Sequence, residues 1–374
     1  MKGLLEIAAT LGSIQEPVVL ATLVRVKGSS YRQPGARMVM QTRGGQTGVI
    51  SAGCLEADLK ARMEGVLGSA EPQVPVFDLG SDLDLIWGTG MGCVGRAEVL
   101  LEAVTPGAPA PWLARCAELL EARRSGVLAT VFGLRGGAPH TKIGEHFLLE
   151  AEGPGILPAP GPFAEALTEA MHQALLQGTP ANTTLPAGNG EVDLLLEPIL
   201  PPFALWLFGA GEHARPLARL AKGLGWFLGL VDHRPALATA ERFPEADRIV
   251  CGHPPESLRG LPFDTRSAAL VVSHVYEKDR QVVAALLQQP LGYLGLQGNR
   301  TRCAKLLKEI QDGGVSLTQA QRSLMHFPAG LDIGAESPEV IALSMLAEVQ
   351  AALAGHPGGS LRDRTGSIHQ GHPS

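Results

Sequence analysis

The sequence predicts an α/β protein with two domains, and three observations support that prediction. The chain has 374 residues, which is more than one compact core usually holds. Its second half alternates short apolar strands with helical segments, which is typical of a doubly wound parallel sheet. There, "FGAGEHA" places Gly209, Gly211 and Ala214 in the G-x-G-x-x-G/A spacing between a strand and a helix. We therefore expect an N-terminal mixed α/β domain and a C-terminal Rossmann-like domain.

Composition and charge exclude several classes of protein. Apolar residues make up 45% of the chain and charged residues 18%, which is typical of a globular protein rather than a disordered one. The apolar segments are shorter than the ~20 residues of a membrane-spanning helix, and the N-terminus lacks a signal-peptide pattern. We therefore expect a cytoplasmic protein that does not bind a membrane. A net charge of −6 without a basic block argues against nucleic acid as a partner.

The N-terminal domain is predicted to span residues 1–202 and to end at the proline pair Pro201 and Pro202. A β-branched apolar run predicts the first strand, and a hairpin follows around Gly44 and Gly45. The strand after this turn passes into a helix at Ala52 to Cys54. The predicted elements are strand 17–26, hairpin 36–51, helix 54–67, strand 96–104, helix 112–123 and strands 126–134 and 192–199.

The Rossmann-like domain is predicted to span residues 203–354. A flexible tail rich in Gly, His and Pro follows at 355–374. The last helix is predicted to begin with Ser337 as N-cap and Pro338 at the first helical position. The predicted elements are strand 204–211, helix 213–224, strands 227–234, 247–252 and 268–274, helix 279–289, strand 291–298 and helices 302–310 and 337–349.

The glycine loop of this domain suits a ligand that carries phosphate. Gly209 and Gly211 permit a tight turn and close phosphate approach at a helix N-terminus, which favours negative charge. Asp232 ends the next strand, the usual position of the acidic residue that binds a ribose hydroxyl in dinucleotide-binding domains. The pattern predicts the fold, whereas a tight turn without any dinucleotide explains the glycines equally well.

Two histidines lie at the same edge of the predicted sheet. His213 is in the first turn of the helix after the glycine loop, and His274 ends a later strand. Ligands bind at the carboxyl edge of open α/β sheets, which favours a ligand role for His274 and, less strongly, for His213. Capping or packing is the alternative for each histidine. Gly298, Asn299 and Arg300 end a further strand at this edge and could bind an anion, although Arg300 also suits a solvated position.

Cysteines supply the candidate thiols. The five are odd in number, scattered and without a C-x-x-C pair, which indicates reduced thiols rather than disulfides or a structural zinc site. Cys54 is predicted at a helix N-terminus, where the dipole lowers the pKa of a thiol and makes it a better nucleophile or metal ligand. Packing of a small buried residue is the alternative, and the residues alone favour it. Cys93, in the glycine-rich loop from Gly88 to Gly95, has the same two interpretations. The remaining cysteines are predicted to lie in the core: Cys116, Cys251 and Cys303.

Two arginines flank the segment "QPGA" before the hairpin. Arg32 and Arg37 could form a fork for a phosphate, because guanidinium groups bind phosphate oxygens in pairs. Solvated surface positions are the alternative for both side chains.

Several of these motifs together resemble the XdhC/CoxI family. The segments "GSSYRQPGARMVM", "GVISAGCLEADL", "WGTGMGCVGRAEVLLE", "LFGAGEHARPLARLAKGLGW" and "GLDIGAESPEVIALSMLAEV" occur in the order seen in that family. The resemblance extends from about Val18 to Val349 and rests on several independent motifs. It implies the two-domain fold described above.

The resemblance also implies a function. Members of the family are accessory proteins of molybdenum hydroxylases such as xanthine dehydrogenase: they bind molybdenum cofactor, support its sulfuration and insert it into the apoenzyme. A chaperone of this kind is expected to have no turnover of its own. Its implied partners are an apo molybdenum hydroxylase, a cysteine desulfurase and a cofactor nucleotidyltransferase, and a homodimer is expected. The cofactor is molybdopterin or its dinucleotide form.

Site residues carried over from the family fall into two groups. The N-terminal group has Cys54 as a contact of molybdenum or sulfur, and the C-terminal group surrounds the glycine loop. The N-terminal candidates are Arg32, Arg37, Gly53, Cys54, Glu56, Gly88, Gly90, Gly92 and Cys93. The C-terminal candidates are Gly209, Gly211, His213, Asp232 and His274.

One departure from the family and two competing functions remain. The family often has two glycines before the cysteine, whereas this chain has Ala52 and Gly53, so an alanine at a position that needs positive φ would strain the turn by about 1 kcal/mol.

The first competing function is an NAD(P)-dependent oxidoreductase that uses the Rossmann-like domain. Against it, His274 lacks an obvious acid/base partner in the sequence. The second is a docking scaffold whose glycine loops bind no cofactor.

Overall fold

The protein divides into two compact units, Met1–Pro201 and Pro202–Ser374. The structure is a computed structural model that describes residues 2–28, 32–51, 53, 55–78, 95–106, 110–137 and 141–365. The N-terminal unit contains two antiparallel sheets with helices, and the C-terminal unit contains one parallel sheet with helices. The predicted fold class, a mixed α/β domain followed by a Rossmann-like domain, is therefore confirmed.

The N-terminal unit is built on two sheets. The first has the order β3-β2-β1-β5-β4 and the second the order β7-β6-β9-β8. The strands of the first sheet are β1 (Val18–Gly28), β2 (Arg37–Gln41), β3 (Gln46–Gly48), β4 (Val76–Asp78) and β5 (Gly95–Val104). Those of the second are β6 (Gly126–Gly137), β7 (His146–Glu150), β8 (Ala181–Ala187) and β9 (Asn189–Ile199). The helices are α1 (Lys2–Ser13), α2 (Glu56–Ser69), α3 (Pro111–Glu121) and α4 (Pro162–Gln177).

Both faces of β1 are buried. Leu20 on one face packs with Leu128 of β6, in a cluster that joins the two sheets and includes α1 and α3. Val19 on the other face packs in a cluster with Leu59 of α2. This double burial explains why β1 reads as a continuous apolar run rather than as an alternating one.

Two further elements of this unit show how far local pattern predicts structure. The predicted hairpin is confirmed, because β2 and β3 pair antiparallel across a turn in which Gly44 has a φ of 88°. Helix α4 was not predicted. Its buried residues, Leu167, Met171 and Ala174, have helical spacing, but they lie among alanines and directly after a Gly/Pro-rich segment.

The C-terminal unit is built on one parallel sheet. Its order is β12-β11-β10-β13-β14-β15, so the order reverses between β10 and β13. The strands are β10 (Ala204–Phe208), β11 (Phe227–Asp232), β12 (Arg248–Cys251), β13 (Ser267–Val271), β14 (Tyr293–Leu296) and β15 (Met325–His326). The helices are α5 (Ala214–Gly223), α6 (Tyr276–Leu286), α7 (Arg300–Asp312), α8 (Gln319–Ser323) and α9 (Pro338–Leu353).

Helices cover both faces of this sheet. Leu217 of α5 and Leu346 of α9 belong to the cluster on one face. Val283 of α6 and Leu306 of α7 belong to the cluster on the other. The predicted start of α9 is confirmed, because the Ser337 hydroxyl accepts a hydrogen bond from an amide of the first turn. The doubly wound arrangement leaves the carboxyl ends of the strands as the open edge of the sheet.

The predicted flexible tail, residues 355–374, contains a short 3₁₀ turn, Leu361–Asp363. Residues 366–374 lie outside the described part of the chain.

Among the described residues, no helix has both the length and the apolar character that crossing a membrane requires.

A glycine in the parallel sheet provides a test of its packing. A Cβ at Gly229 of β11 would overlap the ring of Trp206, which is fully buried on β10. We expect Gly229→Ala to lower the free energy of unfolding by about 1–3 kcal/mol, because the tryptophan must shift in a packed core. Urea denaturation measures this. The matched control is Gly223→Ala on α5, where nothing lies within 4 Å of the added methyl group. Equal stability of the two variants would contradict the described packing.

Candidate functional site

The turn from Ser51 to Glu56 surrounds the position of Cys54. The Ser51 hydroxyl accepts hydrogen bonds from the amides of Gly53 at 3.2 Å and Leu55 at 3.0 Å. The Ser51 amide donates to the Glu56 carboxylate at 2.8 Å, and the hydroxyl donates to the other carboxylate oxygen. Both side chains are buried. These bonds fix the backbone on each side of position 54, although Cys54 itself lies outside the described residues.

Glu56 is the charged group of this turn. Burial alone would raise the pKa of its carboxyl group, but the hydrogen bonds from Ser51 hold the pKa below its ordinary value. The carboxylate is therefore ionised at neutral pH. It lies in the first turn of α2 together with Asp58, so two negative charges offset part of the helix dipole that was expected to lower the pKa of the thiol.

Gly53 has the unusual backbone conformation of this turn. Its φ is 110°, in the region that favours glycine, and nothing lies within 4 Å of a Cβ at this position. Backbone conformation is thus the reason for glycine here. Ala52, where strain was expected, lies outside the described residues. The predicted candidates Gly88, Gly90, Gly92 and Cys93 also lie outside them.

Arg37 has a different partner from the predicted phosphate. Its two terminal nitrogens bind the Glu197 carboxylate at 2.8 and 2.5 Å, and both side chains are buried. The guanidinium also bonds the Gly35 carbonyl and lies over the Trp112 ring. Arg32, in contrast, is exposed. The structure therefore does not show the two arginines as a fork, and Arg37 joins β2 of the first sheet to β9 of the second.

The glycine loop of the C-terminal unit packs closely against the end of β13. Gly209 has a φ of 121°, and a Cβ there would lie 2.6 Å from the backbone of Ser273. Gly211 faces open space, because nothing lies within 4 Å of a Cβ at that position. The first glycine is thus required by packing, and the second leaves the backbone accessible to a ligand.

Asp232 is already saturated with hydrogen bonds from the protein. One carboxylate oxygen accepts from the Ala210 amide at 2.6 Å and from the Arg234 guanidinium at 2.7 Å. The other accepts from the Arg234 amide and Nε at 2.8 and 2.9 Å. Burial opposes ionisation, yet these bonds hold the pKa of Asp232 below its ordinary value. A ribose hydroxyl would have to displace Arg234 to reach this carboxylate.

The two candidate histidines lie together at the sheet edge. The ring centroids of His213 and His274 are 5.3 Å apart, and His274 has a left-handed backbone with a φ of 60°. Burial, with smaller effects of His213 and Arg302, lowers the pKa of His274. His274 is therefore neutral at neutral pH and can donate or accept a hydrogen bond. Within the described residues, no group of three or more His, Cys, Asp or Glu side chains could hold a metal ion.

A buried carboxylate that bonds Ser273, the residue before His274, was not predicted from the sequence. Asp279, which is fully buried on α6, accepts a hydrogen bond from the Ser273 hydroxyl at 2.5 Å and one from Arg302 at 2.7 Å. Burial outweighs both partners and raises the pKa of Asp279. It sits between charged neighbours in the sequence, which is also the pattern of a solvated helix. Nearby, Asn299 caps α7 with its side chain, and Arg300 is exposed.

The remaining cysteines have different environments. Cys116 and Cys303 are buried, as predicted, and burial raises the pKa of Cys116 to about 12. The prediction for Cys251 was wrong, because this thiol is exposed. Cys251 ends β12, the edge strand of the parallel sheet, where one side of the strand has no neighbouring strand.

A small cleft, open to solvent, lies at the carboxyl edge of this sheet. It is bounded by the ends of β10, β11 and β12 and by the first turn of α6. Its lining includes Gly209, Asp232, His233, Ser257 and Lys278. Ser257 and Lys278 were not predicted from the sequence, since neither residue belongs to a recognisable motif.

Comparison with known proteins covers both units. Residues 14–79 match the XdhC and CoxI family, and residues 205–349 match the XdhC Rossmann domain. A Bacillus subtilis (strain 168) protein, named as a probable component of xanthine dehydrogenase, is 32% identical over 341 residues, which are 90% of this chain and 93% of that protein. The molybdenum cofactor insertion chaperone PaoD of Escherichia coli (strain K12) is 24% identical over 331 residues, which are 88% of this chain and 82% of PaoD.

A solved structure agrees with these sequence matches. The crystal structure of a xanthine dehydrogenase from Bacillus halodurans superimposes with a TM-score of 0.74 and 28% identity, over 96% of this chain and 98% of that chain. Both the sequence and the fold are thus shared over nearly the whole length. This chain belongs to the XdhC/CoxI family, and its parallel-sheet unit contains that family's Rossmann domain.

Proposed function

We propose that this protein is an accessory chaperone that binds molybdenum cofactor and inserts it into a molybdenum hydroxylase such as xanthine dehydrogenase. The observation that carries the proposal is the likeness of both units to a protein named as a molybdenum cofactor insertion chaperone, over 88% of this chain. A second relative, at 32% identity, is named as a probable component of xanthine dehydrogenase. In this function the protein transfers a cofactor and has no turnover of its own.

The turn around Cys54 is the proposed contact with the reactive end of the cofactor. Molybdenum tolerates a soft thiolate ligand, and the bonds of Ser51 to Gly53 and Leu55 hold the flanking backbone in place. We propose that Cys54 contacts molybdenum or its sulfur ligand while the protein supports sulfuration. Glycine-rich backbone, including the Gly88 to Gly95 segment, would bind the anionic pterin.

Further partners belong to the same proposal. A cysteine desulfurase would supply sulfur to the bound cofactor, and a nucleotidyltransferase would precede this protein if the cofactor is in its dinucleotide form. A homodimer is proposed from the family. The apo hydroxylase would receive the mature cofactor.

A second candidate function is an NAD(P)-dependent oxidoreductase. The strand order, with its reversal between β10 and β13, and the conformation of Gly209 favour a nucleotide at this edge. The ribose of NAD normally bonds an acidic residue at this position. The Asp232 carboxylate is already bonded to Arg234, which argues against NAD as the ligand. We therefore rank cofactor insertion first.

Replacement of the proposed thiol tests the leading function. We expect Cys54→Ser to weaken cofactor retention by about tenfold or more, because even outer contacts of a metal site change its affinity by that factor. Protein isolated from cells that make the cofactor is oxidised, and the fluorescent pterin derivative is quantified per chain. The control is Cys251→Ser, which makes the same atomic change at an exposed thiol. Equal retention in both variants would remove Cys54 from the mechanism.

Removal of the Ser51 hydroxyl tests the organisation of the turn. Ser51→Ala leaves the amides of Gly53 and Leu55 without their acceptor, so we expect a stability loss of about 1–3 kcal/mol and reduced cofactor retention. Urea denaturation and the pterin assay measure the two effects. Ser51→Thr retains a hydroxyl and should restore most of the retention, whereas Ser69→Ala serves as a control at the other end of α2. Normal retention in Ser51→Ala would show that the turn need not be held.

Titration with NAD(H) and NADP(H) separates the two candidate functions. We expect no micromolar binding of either dinucleotide by calorimetry, because Arg234 occupies the Asp232 carboxylate. Arg234→Ala frees that carboxylate and should strengthen any residual NAD binding. Tight binding by the unaltered protein that is lost in Asp232→Ala would instead support the oxidoreductase.

A further inference from the structure

Helix α9 exposes apolar side chains on the face that points away from the parallel sheet. Its inner face packs on the sheet and on α5 through Ala342, Met345 and Leu346. A helix at a protein surface normally has polar residues on its outer face. Here Leu343 is 53% exposed and Val340 is also exposed. The helix has only two charged residues, and one of them, Glu348, accepts a hydrogen bond from the Tyr293 hydroxyl.

Two leucines of α5 extend this apolar surface. Leu224 is 53% exposed and Leu220 is 40% exposed. The opposite flank of α5 carries Arg219 and Lys222, which pair with acidic residues between β11 and β12. The flank with the two leucines therefore faces α9, which contacts β13 and β14.

The apolar residues of the two helices lie at the same level. Both helices begin at the carboxyl edge of the sheet, and Leu220 and Leu343 lie about 9 and 8 Å from the starts of their helices. We call this surface, formed by Leu220, Leu224, Val340 and Leu343, the apolar strip. Apolar surface of this kind on a folded protein commonly marks a site of protein contact.

Three carboxylates lie at the end of the apolar strip where α9 begins. Asp332, Glu336 and Glu339 are exposed, and within the described part of the chain none of them has an ion-pair partner. The exposed Ile333 lies among them in sequence. The basic residues of α5 do not neutralise them, because those residues are paired on the far flank of that helix. The apolar strip thus has an acidic rim.

Charge decides which occupant fits this surface. In a two-fold symmetric dimer the same patch meets itself, so the acidic rims of two copies would face each other. Like charges that meet at an interface weaken binding, which argues against a second copy of this chain. A partner that presents apolar side chains within a rim of lysine and arginine matches both the apolar strip and its rim.

We propose that the apolar strip and its acidic rim are the docking surface for the apo molybdenum hydroxylase. The identity of the partner rests on the proposed function, whereas the apolar and basic character of its matching surface follows from the strip and the rim. Burial of the leucines supplies affinity, and the carboxylates orient the partner and speed association. The docking surface shares no residue with the proposed cofactor contact in the N-terminal unit.

The test measures binding of purified, cofactor-free xanthine dehydrogenase to the immobilised full chain by biolayer interferometry. We expect Leu343→Ser to raise Kd about tenfold or more, because the partner no longer buries the leucine. Glu339→Gln should raise Kd about threefold, mainly through slower association, and this difference should shrink at high salt.

Matched controls make the same chemical changes elsewhere. Leu176→Ser alters a leucine of α4 that is 81% exposed, and Glu6→Gln alters an exposed carboxylate of α1. Both should leave Kd unchanged, and thermal unfolding verifies that every variant is folded. An unchanged Kd in both Leu343→Ser and Glu339→Gln would overturn the docking surface. Light scattering under reducing conditions checks the other occupant: a dimer that Leu343→Ser converts to a monomer would give the strip to a second copy and also overturn the proposal.

The cofactor content of the same preparations separates this inference from the proposed function. Leu343→Ser should retain as much pterin per chain as the unaltered protein, because the docking surface is not the cofactor contact. If the chain retains cofactor and its affinity for the hydroxylase is unchanged in Leu343→Ser, the docking surface is wrong and the chaperone function stands. An unaltered chain that neither retains cofactor nor binds the apo hydroxylase would overturn both.

Discussion

The carboxylate of Asp232 determines much of what the open edge of the parallel sheet can do. Its four hydrogen bonds join the end of β11 to the backbone of the glycine loop and to Arg234. A buried carboxylate that lacked these partners would be costly, so the loop and the arginine are held in place as long as the charge is buried. The acidic residue that many Rossmann domains offer to a ribose is here a support for the loop itself. The histidine pair His213 and His274 lies at the same edge of the sheet.

Buried carboxylates serve the N-terminal unit in the same way. Glu56 and Ser51 organise the turn around the candidate thiol, and Glu197 binds Arg37 between two sheets. In each case both oxygens of a buried carboxylate accept hydrogen bonds within the protein, and these bonds fix the course of a loop or strand. The turn and the ion pair are therefore supports for the neighbouring backbone. This division of labour leaves Cys54, in contrast to Arg37, as the residue that we propose meets a ligand.

Local pattern predicted the parts of the fold that depend on short-range order. Most strands and helices of the parallel-sheet unit, the hairpin and the start of α9 follow from periodicity, glycine positions and capping residues, which act over a few residues. Strand β15 and helix α8 were not predicted. Pairing over long distances was not predictable. Arg37 and Glu197 are 160 residues apart, and the sequence around either residue does not indicate its partner. The edge position of β12, which exposes Cys251, likewise depends on the order of strands rather than on the sequence of one of them. The cleft was not predicted, because Ser257 and Lys278 are distant in sequence and come together only in the fold.

The exposed thiol of Cys251 has a practical consequence for work with the purified protein. An accessible cysteine on an edge strand can form a disulfide with the same residue of another molecule during air oxidation. The protein does not have to unfold for this reaction, because the thiol is already exposed. Such a covalent pair has the mass of a homodimer and would be mistaken for one in gel filtration or light scattering. Oligomeric state should accordingly be judged under reducing conditions, or with serine at that position, before any dimer is attributed to this protein.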